Sequence, residues 1–187
     1  MWICFEGGDR VGKTTQSRLL KKYLNDCILI GVPDRSGPSG VIIHQYLTEK
    51  CHMDPHALHL LFTVNRWEIM NQIREAQMKG QWVITDRWSG SGITYSMARG
   101  LDYDWCEEVE KTLPQPDLTI WLDMNPEELT KREGWGEERE ETLEKQIAVR
   151  EAYQKYFSNK KKVLKIQVEN KSIDEVHQEI ISLILPS

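Results

Sequence analysis

The sequence has no apolar run that approaches the roughly 18 residues of a membrane-spanning helix. Cysteine is scarce. The four cysteines are widely scattered and form no C-x-x-C pair. Acidic residues outnumber basic ones, which leaves a net charge of -5. These absences argue against a membrane protein, a disulfide framework and a broad nucleic-acid surface. We expect a cytoplasmic protein with reduced thiols and with no membrane or nucleic-acid partner. An apolar pattern that begins almost at Met1 also argues against a signal peptide.

The length is that of one ordinary globular domain. A chain of 187 residues can bury about 70% of its unfolded surface, so a core can form without covalent crosslinks. No internal repeat, low-complexity linker or break in composition divides the chain. We therefore predict a single domain over residues 1–187.

The most informative segment is the glycine-rich stretch at residues 5–15. Gly7, Gly12, Lys13 and Thr14 match the spacing G-x-x-x-x-G-K-[ST]. Glycines let backbone N–H groups turn towards an anion, and the helix that follows offers its own unpaired N–H groups. Lys13 adds a positive charge, and the hydroxyl of Thr14 is a suitable Mg²⁺ ligand. The segment predicts a site for a nucleoside triphosphate.

Short apolar runs alternate with helical patterns along the chain. The runs cover residues 2–5, 27–32, 82–85, 118–122 and 163–168, and the first helical pattern covers residues 16–25. Parallel strands need long crossover connections, which helices provide. The pattern predicts an α/β fold of three layers, with a five-stranded parallel sheet between two layers of helices.

Charged residues follow three of the predicted strands. In an open parallel sheet, ligands bind beyond the carboxyl ends of the strands, so these residues should surround the glycine-rich loop. They are Asp34, Arg35, Asp86, Arg87 and Asp123. The glutamate-rich stretch at residues 133–141 reads as an exposed loop that enters a long helix. We interpret about residues 132–142 as a lid.

Several motifs in this order resemble those of the thymidylate kinases, which pass a phosphoryl group from ATP to dTMP. They are FEGGDRVGKTTQ from Phe5, PDRSG from Pro33, LLFTVNRWE from Leu60, DRWSGSGITYSMARG from Asp86, LPQPDLTIWLD from Leu113 and EGWGEERE from Glu133. The resemblance spans most of the chain and implies a P-loop nucleotide kinase that uses Mg²⁺ and forms a homodimer. Asp9 and Arg10 resemble the variant that carries its catalytic arginine in the phosphate loop.

The resemblance also implies site residues. The catalytic residues would be Arg10, Lys13, Asp86 and Arg87. ATP would be bound by Gly8, Asp9, Arg10, Val11, Gly12, Lys13, Thr14, Thr15 and Arg132. The acceptor dTMP would be bound by Asp9, Arg35, Phe62, Arg66, Arg87, Ser91, Tyr95 and Gln146. The Mg²⁺ ligands would be Thr14 and, through water, Asp86.

Each implied role suits the chemistry of its residue. Arg10 would neutralise charge on the γ-phosphate as an arginine finger supplied in cis. Arg35 and Arg87 would grip the dTMP phosphate, because a guanidinium group matches phosphate oxygens and stays charged. Phe62 would stack on thymine, and Arg66, one helical turn later, would reach the carbonyl edge of the base.

The remaining roles concern the sugar and the adenine. Asp9 would accept a hydrogen bond from the 3′-hydroxyl. Ser91 and Tyr95 would line the base and sugar, with the Tyr95 ring crowding any 2′-hydroxyl. Gln146 would lie near the deoxyribose, and Arg132 would pack on adenine.

The sequence departs from the family pattern in the lid. Glu140 stands where the family usually has tyrosine. We expect its side chain to point to solvent or to pair with Arg139, because runs of charge are usually solvated; the alternative is that the lid closes differently. Val32 stands where phenylalanine is common, and Trp88 where tyrosine or histidine is commoner.

Pattern alone gives other interpretations for several residues. Helical periodicity would place Phe62 in the core and leave Arg66 as a solvated charge. Arg99 is ambiguous between a helix-end cap and a phosphate contact. The cluster of His44, Cys51, His52, His56 and His59 is interpreted as surface histidines rather than as a zinc site, since zinc sites normally show tighter ligand pairs.

Two alternative functions stay open at this point. The first is another P-loop deoxynucleotide or nucleoside kinase, with dUMP, dGMP or a nucleoside as acceptor. The second is a guanine-nucleotide switch, which should carry Asn-Lys-x-Asp; the nearest match, at residues 170–174, puts the acid one residue late.

Overall fold

The computed structural model describes residues 1–185 and has a parallel sheet at its centre. The strands are β1 (Trp2–Glu6), β2 (Cys27–Gly31), β3 (Trp82–Asp86), β4 (Leu118–Asp123) and β5 (Val163–Gln167). Their spatial order is β2-β3-β1-β4-β5, and every neighbouring pair is parallel. The predicted α/β class and the five strands are confirmed. Each strand bound lies within one residue of its prediction.

Helices cover both faces of the sheet. They are α1 (Lys13–Tyr23), α2 (Pro38–Leu47), α3 (Pro55–Met78), α4 (Ser89–Ala98), α5 (Tyr103–Glu110), α6 (Pro126–Leu129), α7 (Leu143–Phe157) and α8 (Ile173–Ile184). Helix α1 begins three residues before the predicted start at residue 16. The reason is Gly12, whose left-handed φ of 105° turns the chain directly into the helix. Within residues 1–185, no helix is long and apolar enough to cross a membrane.

Two of the apolar clusters within residues 1–185 form layers on opposite faces of the sheet, because successive strand side chains point to opposite faces. On one face, Ile3 and Phe5 of β1 pack with Leu20 of α1 and Ile180 of α8. On the other face, Trp2 and Cys4 pack with residues of α3 that include Ile69 and Ile73. The central strand β1 is buried at every position, as expected of a strand covered on both faces.

The carboxyl ends of the strands lie together at one edge of the sheet. The glycine-rich loop follows β1, and the register pairs Phe5 of β1 with Asp86 at the end of β3. The Arg87 N–H then donates to the Phe5 carbonyl over 2.8 Å, which holds the next residue beside the loop. Residues 130–142 form turns, and α7 begins directly after them.

Candidate active site

The glycine-rich loop is held tightly between β1 and α1. Gly7 has a φ of 142°, and a Cβ atom there would lie 2.3 Å from the Leu122 carbonyl oxygen. Only glycine fits both the backbone conformation and the close approach to β4. The loop ends at Gly12, so the N–H groups at the start of α1 face the same space as the loop.

A cleft opens beside this loop. It is lined by seven of the residues predicted for ATP, namely Arg10, Val11, Gly12, Lys13, Thr14, Thr15 and Arg132. Gly8 and Asp9 are not among the lining residues. Residues at the start of α8, including Ser172 and Ile173, also line the cleft, and the motif gave no signal for them. We call this space the donor cleft.

Lys13 and Thr14 project from the first turn of α1. Lys13 is buried, and its ammonium group donates to the Gly8 carbonyl. Burial lowers the pKa of Lys13 to about 8, and the nearby charge of Arg87 acts in the same direction. The Thr14 hydroxyl donates to Asp86 Oδ2 over 2.6 Å. Two hard oxygen ligands therefore stand side by side, which suits Mg²⁺ with water and phosphate oxygens completing its shell.

Asp9 and Arg87 form the charged centre of the site. Arg87 Nη2 contacts Asp9 Oδ1, and Arg87 Nη1 donates to the Gly7 carbonyl over 2.9 Å and to Ser91 Oγ over 3.0 Å. Burial opposes ionisation of Asp9, but the charges of Arg87 and Lys13 outweigh it and hold the pKa of Asp9 below its ordinary value. Asp9 is therefore a carboxylate at neutral pH.

Gln146 of α7 forms hydrogen bonds to the same loop. Its Nε2 donates to Asp9 Oδ2 over 2.8 Å, and its Oε1 accepts from the Asp9 N–H over 2.9 Å. Gln146 is 1% exposed, so the helix that follows the lid is attached to the phosphate loop by a buried amide. The amide orients Asp9.

A second cavity lies on the other side of Asp9. It is lined by seven of the eight residues predicted for dTMP, namely Asp9, Arg35, Phe62, Arg66, Arg87, Ser91 and Tyr95. Gln146 reaches this group through Asp9. Arg99, Glu138 and Glu140 are further charged lining residues that were not assigned to the site. We call this space the acceptor cavity.

A family model described as thymidylate kinase matches residues 5–180. The chain belongs to the thymidylate kinase family. It is 43% identical over 189 residues to the thymidylate kinase of Dictyostelium discoideum, covering 98% of this chain and 84% of that protein. It is 37% identical over 187 residues to that of Arabidopsis thaliana, with 98% and 70% covered.

A solved structure shows the same likeness. The thymidylate kinase of Candida albicans matches with a TM-score of 0.91 at 36% identity, covering 98% of this chain and 90% of that one. The three-layer P-loop kinase fold expected from the sequence is therefore confirmed.

Helix α3 brings two predicted residues to the acceptor cavity of this thymidylate kinase family member. Phe62 is partly buried: it packs against the apolar cluster of α2 and α3 and also lines the cavity. The pattern-based interpretation of Arg66 as a solvated charge is wrong. Its side chain is 2% exposed, because Glu110 of α5 lies against it as a buried counter-ion. No sequence signal indicated the contact between Arg66 and Glu110, because Glu110 is an ordinary acidic residue of a short amphipathic helix.

Glu140 contradicts the expectation for the lid. Its side chain is 7% exposed, and its Oε1 lies 3.0 Å from Arg99 Nη2 in an ion pair and accepts a hydrogen bond from the Tyr46 hydroxyl over 3.3 Å. Arg139 is not its partner, because Arg139 donates instead to the carbonyls of Tyr46 over 2.9 Å and Cys51 over 2.8 Å. The lid folds back over the acceptor cavity, where partly buried Arg99 has Glu140 as its counter-ion.

Arg10 also contacts the lid. Its Nε donates to Glu141 over 2.8 Å, its Nη2 to Glu137 over 3.0 Å, and its Nη1 to the Glu133 carbonyl over 2.7 Å. Glu141 is buried, and its second oxygen accepts backbone N–H groups at residues 136–138. The segment interpreted as an exposed loop therefore contains two buried carboxylates, each bound to an arginine.

The histidine cluster is only partly at the surface. His44, His52 and His56 are exposed, as expected. His59 is 1% exposed, and its Nδ1 lies 2.8 Å from Ser96 Oγ, so the surface interpretation is wrong for this residue. Its side of α3 packs against α4 and α5. In the part of the chain that the structure describes, no group of three potential ligands could hold a metal ion.

Sequence reasoning also missed Glu6. This carboxylate ends an otherwise apolar strand and is 1% exposed. It accepts from the Trp88 N–H over 2.9 Å, the Ser91 N–H over 3.0 Å and the Tyr153 hydroxyl over 2.8 Å. The sequence signal that could have identified Glu6 is an acidic residue at the end of a buried strand. Glu6 fixes the start of α4, and with it Ser91.

Proposed function

We propose that this protein transfers the γ-phosphoryl group of ATP to the phosphate of dTMP, giving dTDP and ADP. The observation that carries the proposal is the junction of two spaces at the phosphate loop. Arg10 lines the donor cleft, whereas its neighbour Asp9 lines the acceptor cavity. Two nucleotides bound in these spaces would meet with their phosphates end to end.

The reaction needs no dedicated base. The attacking oxygen belongs to a phosphate monoester, whose second pKa is near 6, so it is already ionised at neutral pH. Catalysis then consists of alignment and charge neutralisation between two polyanions. Lys13, which is buried, and Arg87, whose side chain is 17% exposed, supply positive charge there, and both are hydrogen-bonded to the loop.

Arg10 is the proposed arginine finger of the phosphate loop. Its Nε contact with buried Glu141 would hold the side chain, while its contact with Glu137 is open to exchange, since that glutamate is 72% exposed. Exposed ion pairs contribute only about 0–1 kcal/mol, so a phosphate oxygen can replace this one at little cost.

Thr14 and Asp86 are the proposed Mg²⁺ ligands, with Asp86 acting through water. Mg²⁺ held by these residues would supply positive charge that neutralises the phosphate oxygens of ATP. The pair of oxygens 2.6 Å apart supports this assignment. Arg132, the lid at about residues 132–142 and the other lining residues of the donor cleft would cover the ATP.

The acceptor assignments follow the lining of the acceptor cavity. Arg35 and Arg87 would bind the dTMP phosphate, and Phe62 and Arg66 the base. Tyr95 contacts Arg87 through its hydroxyl over 3.3 Å, which sets its ring beside the proposed sugar position. Asp9, Ser91 and Gln146 would complete the sugar contacts.

We also propose a homodimer of single-domain subunits in the cytoplasm. Leu60, Val64 and Trp67 follow helical spacing on one side of α3 and are 46%, 48% and 39% exposed. Val41 and Ile42 of α2 add to the exposed apolar residues. Apolar surfaces of this kind mark contacts between proteins. The four free thiols fit a reducing compartment.

The test is coupled ADP release with Mg²⁺, ATP and a panel of acceptors: dTMP, dUMP, dGMP and thymidine. We expect turnover with dTMP to exceed that with every other acceptor. Preference for thymidine would indicate a nucleoside kinase, and GTP hydrolysis without an acceptor would indicate a switch. Failure to form dTDP would refute the proposal.

A further inference from the structure

A buried ion pair lies behind the acceptor cavity. Arg66 of α3 and Glu110 of α5 have side chains that are each 2% exposed. Arg66 Nε donates to Glu110 Oε2 over 3.0 Å, and Arg66 Nη2 donates to Glu110 Oε1. Two parallel contacts between a guanidinium group and a carboxylate set the plane of both groups.

Glu110 is also held by two further residues of α3. Its Oε1 accepts from the Thr63 hydroxyl over 2.6 Å, and His59 Nε2 lies 3.6 Å from the same oxygen. The ring of His59 is fixed by its contact with Ser96. Burial lowers the pKa of His59 although the charge of Glu110 opposes this, so the histidine adds no positive charge at neutral pH.

Helix α4 closes one side of the guanidinium group. A Cβ atom at Gly92 would lie 2.5 Å from Arg66 Nη2 and 3.0 Å from its Cζ, so only glycine lets the two helices approach this closely. Arg66 Nη1 makes no hydrogen bond within residues 1–185, although Arg66 lines the acceptor cavity beside Phe62. The Nη1 group is therefore the donor left to face a ligand.

We propose that Glu110 is a positioning residue for base recognition, because it fixes Arg66 so that a donor-only group faces the base. The inference rests on the proposed function. A guanidinium group donates hydrogen bonds and accepts none. Thymine and uracil carry a carbonyl at position 4, whereas cytosine carries an amino group there. A fixed Arg66 would bind the carbonyl and reject the amino group, since two donors would face each other.

The test compares kcat/KM for dTMP and dCMP in the full-length chain. Glu110→Gln keeps the size of the side chain but removes its charge and turns an amide N–H₂ towards Arg66. We expect the dTMP preference over dCMP to fall at least about tenfold, mainly through a higher KM for dTMP, with a smaller change in kcat. Glu110→Asp keeps the charge but withdraws the carboxylate, so we expect a smaller loss of preference.

Ile73→Ala is the matched control. Ile73 is buried in α3, the helix that carries Arg66. It lies in the core layer against the sheet and does not line the acceptor cavity. This variant should lower the melting temperature and leave the dTMP preference unchanged, which separates positioning from loss of stability.

An unchanged preference in folded Glu110→Gln would overturn the inference. If that variant does not fold, an unchanged preference in Glu110→Asp overturns it equally. A wild-type protein that forms no dTDP would instead refute the proposed function, so the two failures are distinct.

Discussion

Two of the arginine–glutamate pairs in or beside the acceptor cavity have opposite character. Arg66 and Glu110 join two helices, and each side chain is 2% exposed. Arg35 and Glu138 join the loop after β2 to the lid, at a distance of 2.6 Å, and are 40% and 32% exposed. Loss of one partner from a buried pair costs about 3–5 kcal/mol, whereas an exposed pair contributes about 0–1 kcal/mol. The first pair is part of the fold, and the second can exchange for a ligand.

The lid supplies carboxylate partners to three arginines, one through half-exposed Glu138 and two through buried glutamates. Glu138, Glu140 and Glu141 are bound to Arg35, Arg99 and Arg10, in that order. Two of these arginines face phosphates in the proposed mechanism. The lid carboxylates therefore occupy the cations that substrates need, and substrate binding should exchange some of these contacts. Four predictions test this contrast.

The largest effect is expected at Arg10. An arginine finger contributes about 10³-fold or more to turnover. Arg10→Ala should therefore lower kcat about 10³-fold and leave the KM for dTMP unchanged in coupled ADP-release kinetics. Arg18→Ala, which removes an exposed arginine of α1, is the control and should behave like the wild type. Unchanged turnover in Arg10→Ala would remove the finger role.

The second prediction compares the stability of the two pairs. Glu110→Ala leaves Arg66 charged and buried without its partner, so the free energy of unfolding should fall by about 3–5 kcal/mol. Glu138→Ala should lower it by about 1 kcal/mol or less. Urea unfolding measures both. Equal losses of unfolding free energy in the two variants would show that solvent exposure does not determine how much each pair contributes to stability.

A third prediction concerns the replacement of Glu138 by the dTMP phosphate as the partner of Arg35. Arg35→Ala should raise the KM for dTMP about 10- to 100-fold, because a charge-assisted contact with phosphate is lost. Glu138→Gln should lower that KM about two- to fivefold, since it removes the competing carboxylate. A rise in KM for Glu138→Gln would mean that Glu138 helps to bind the acceptor.

The smallest effect is expected from a change of pH, through the KM for ATP. Lys13 is charged below its pKa of about 8 and neutral above it. The charged form binds phosphate, so the KM for ATP should rise several-fold between about pH 7 and pH 9. Lys13→Arg, whose guanidinium stays charged, should flatten this dependence even if its turnover is lower. A flat profile in the wild type would show that Lys13 remains protonated throughout.

Local pattern was sufficient for the strands and the phosphate loop. Strand periodicity is a property of a few consecutive residues, and the turn at Gly7 and Gly12 needs a residue without a Cβ atom. The charged residues after each strand could be grouped in advance because parallel strands end at the same edge. Arg35 and Arg87 of the acceptor cavity were grouped for this reason, whereas Phe62, Arg66, Ser91 and Tyr95 came only from the family motifs.

Contacts between distant elements could not be read from local pattern. Arg66 and Glu110 are 44 positions apart, and Tyr46 and Glu140 are 94 apart. A charged residue in a helix is usually solvated, so pattern assigned Arg66, Glu140 and His59 to the surface. Their burial depends on which helices pack together and on where the lid folds.

The glycine spacing and the alternation of apolar runs were enough to establish an α/β phosphate-binding domain, since both arise from backbone geometry over short distances. The partner of each arginine was settled by packing, because an ion pair depends on separation in space and on exclusion of water. Neither quantity is encoded in neighbouring residues.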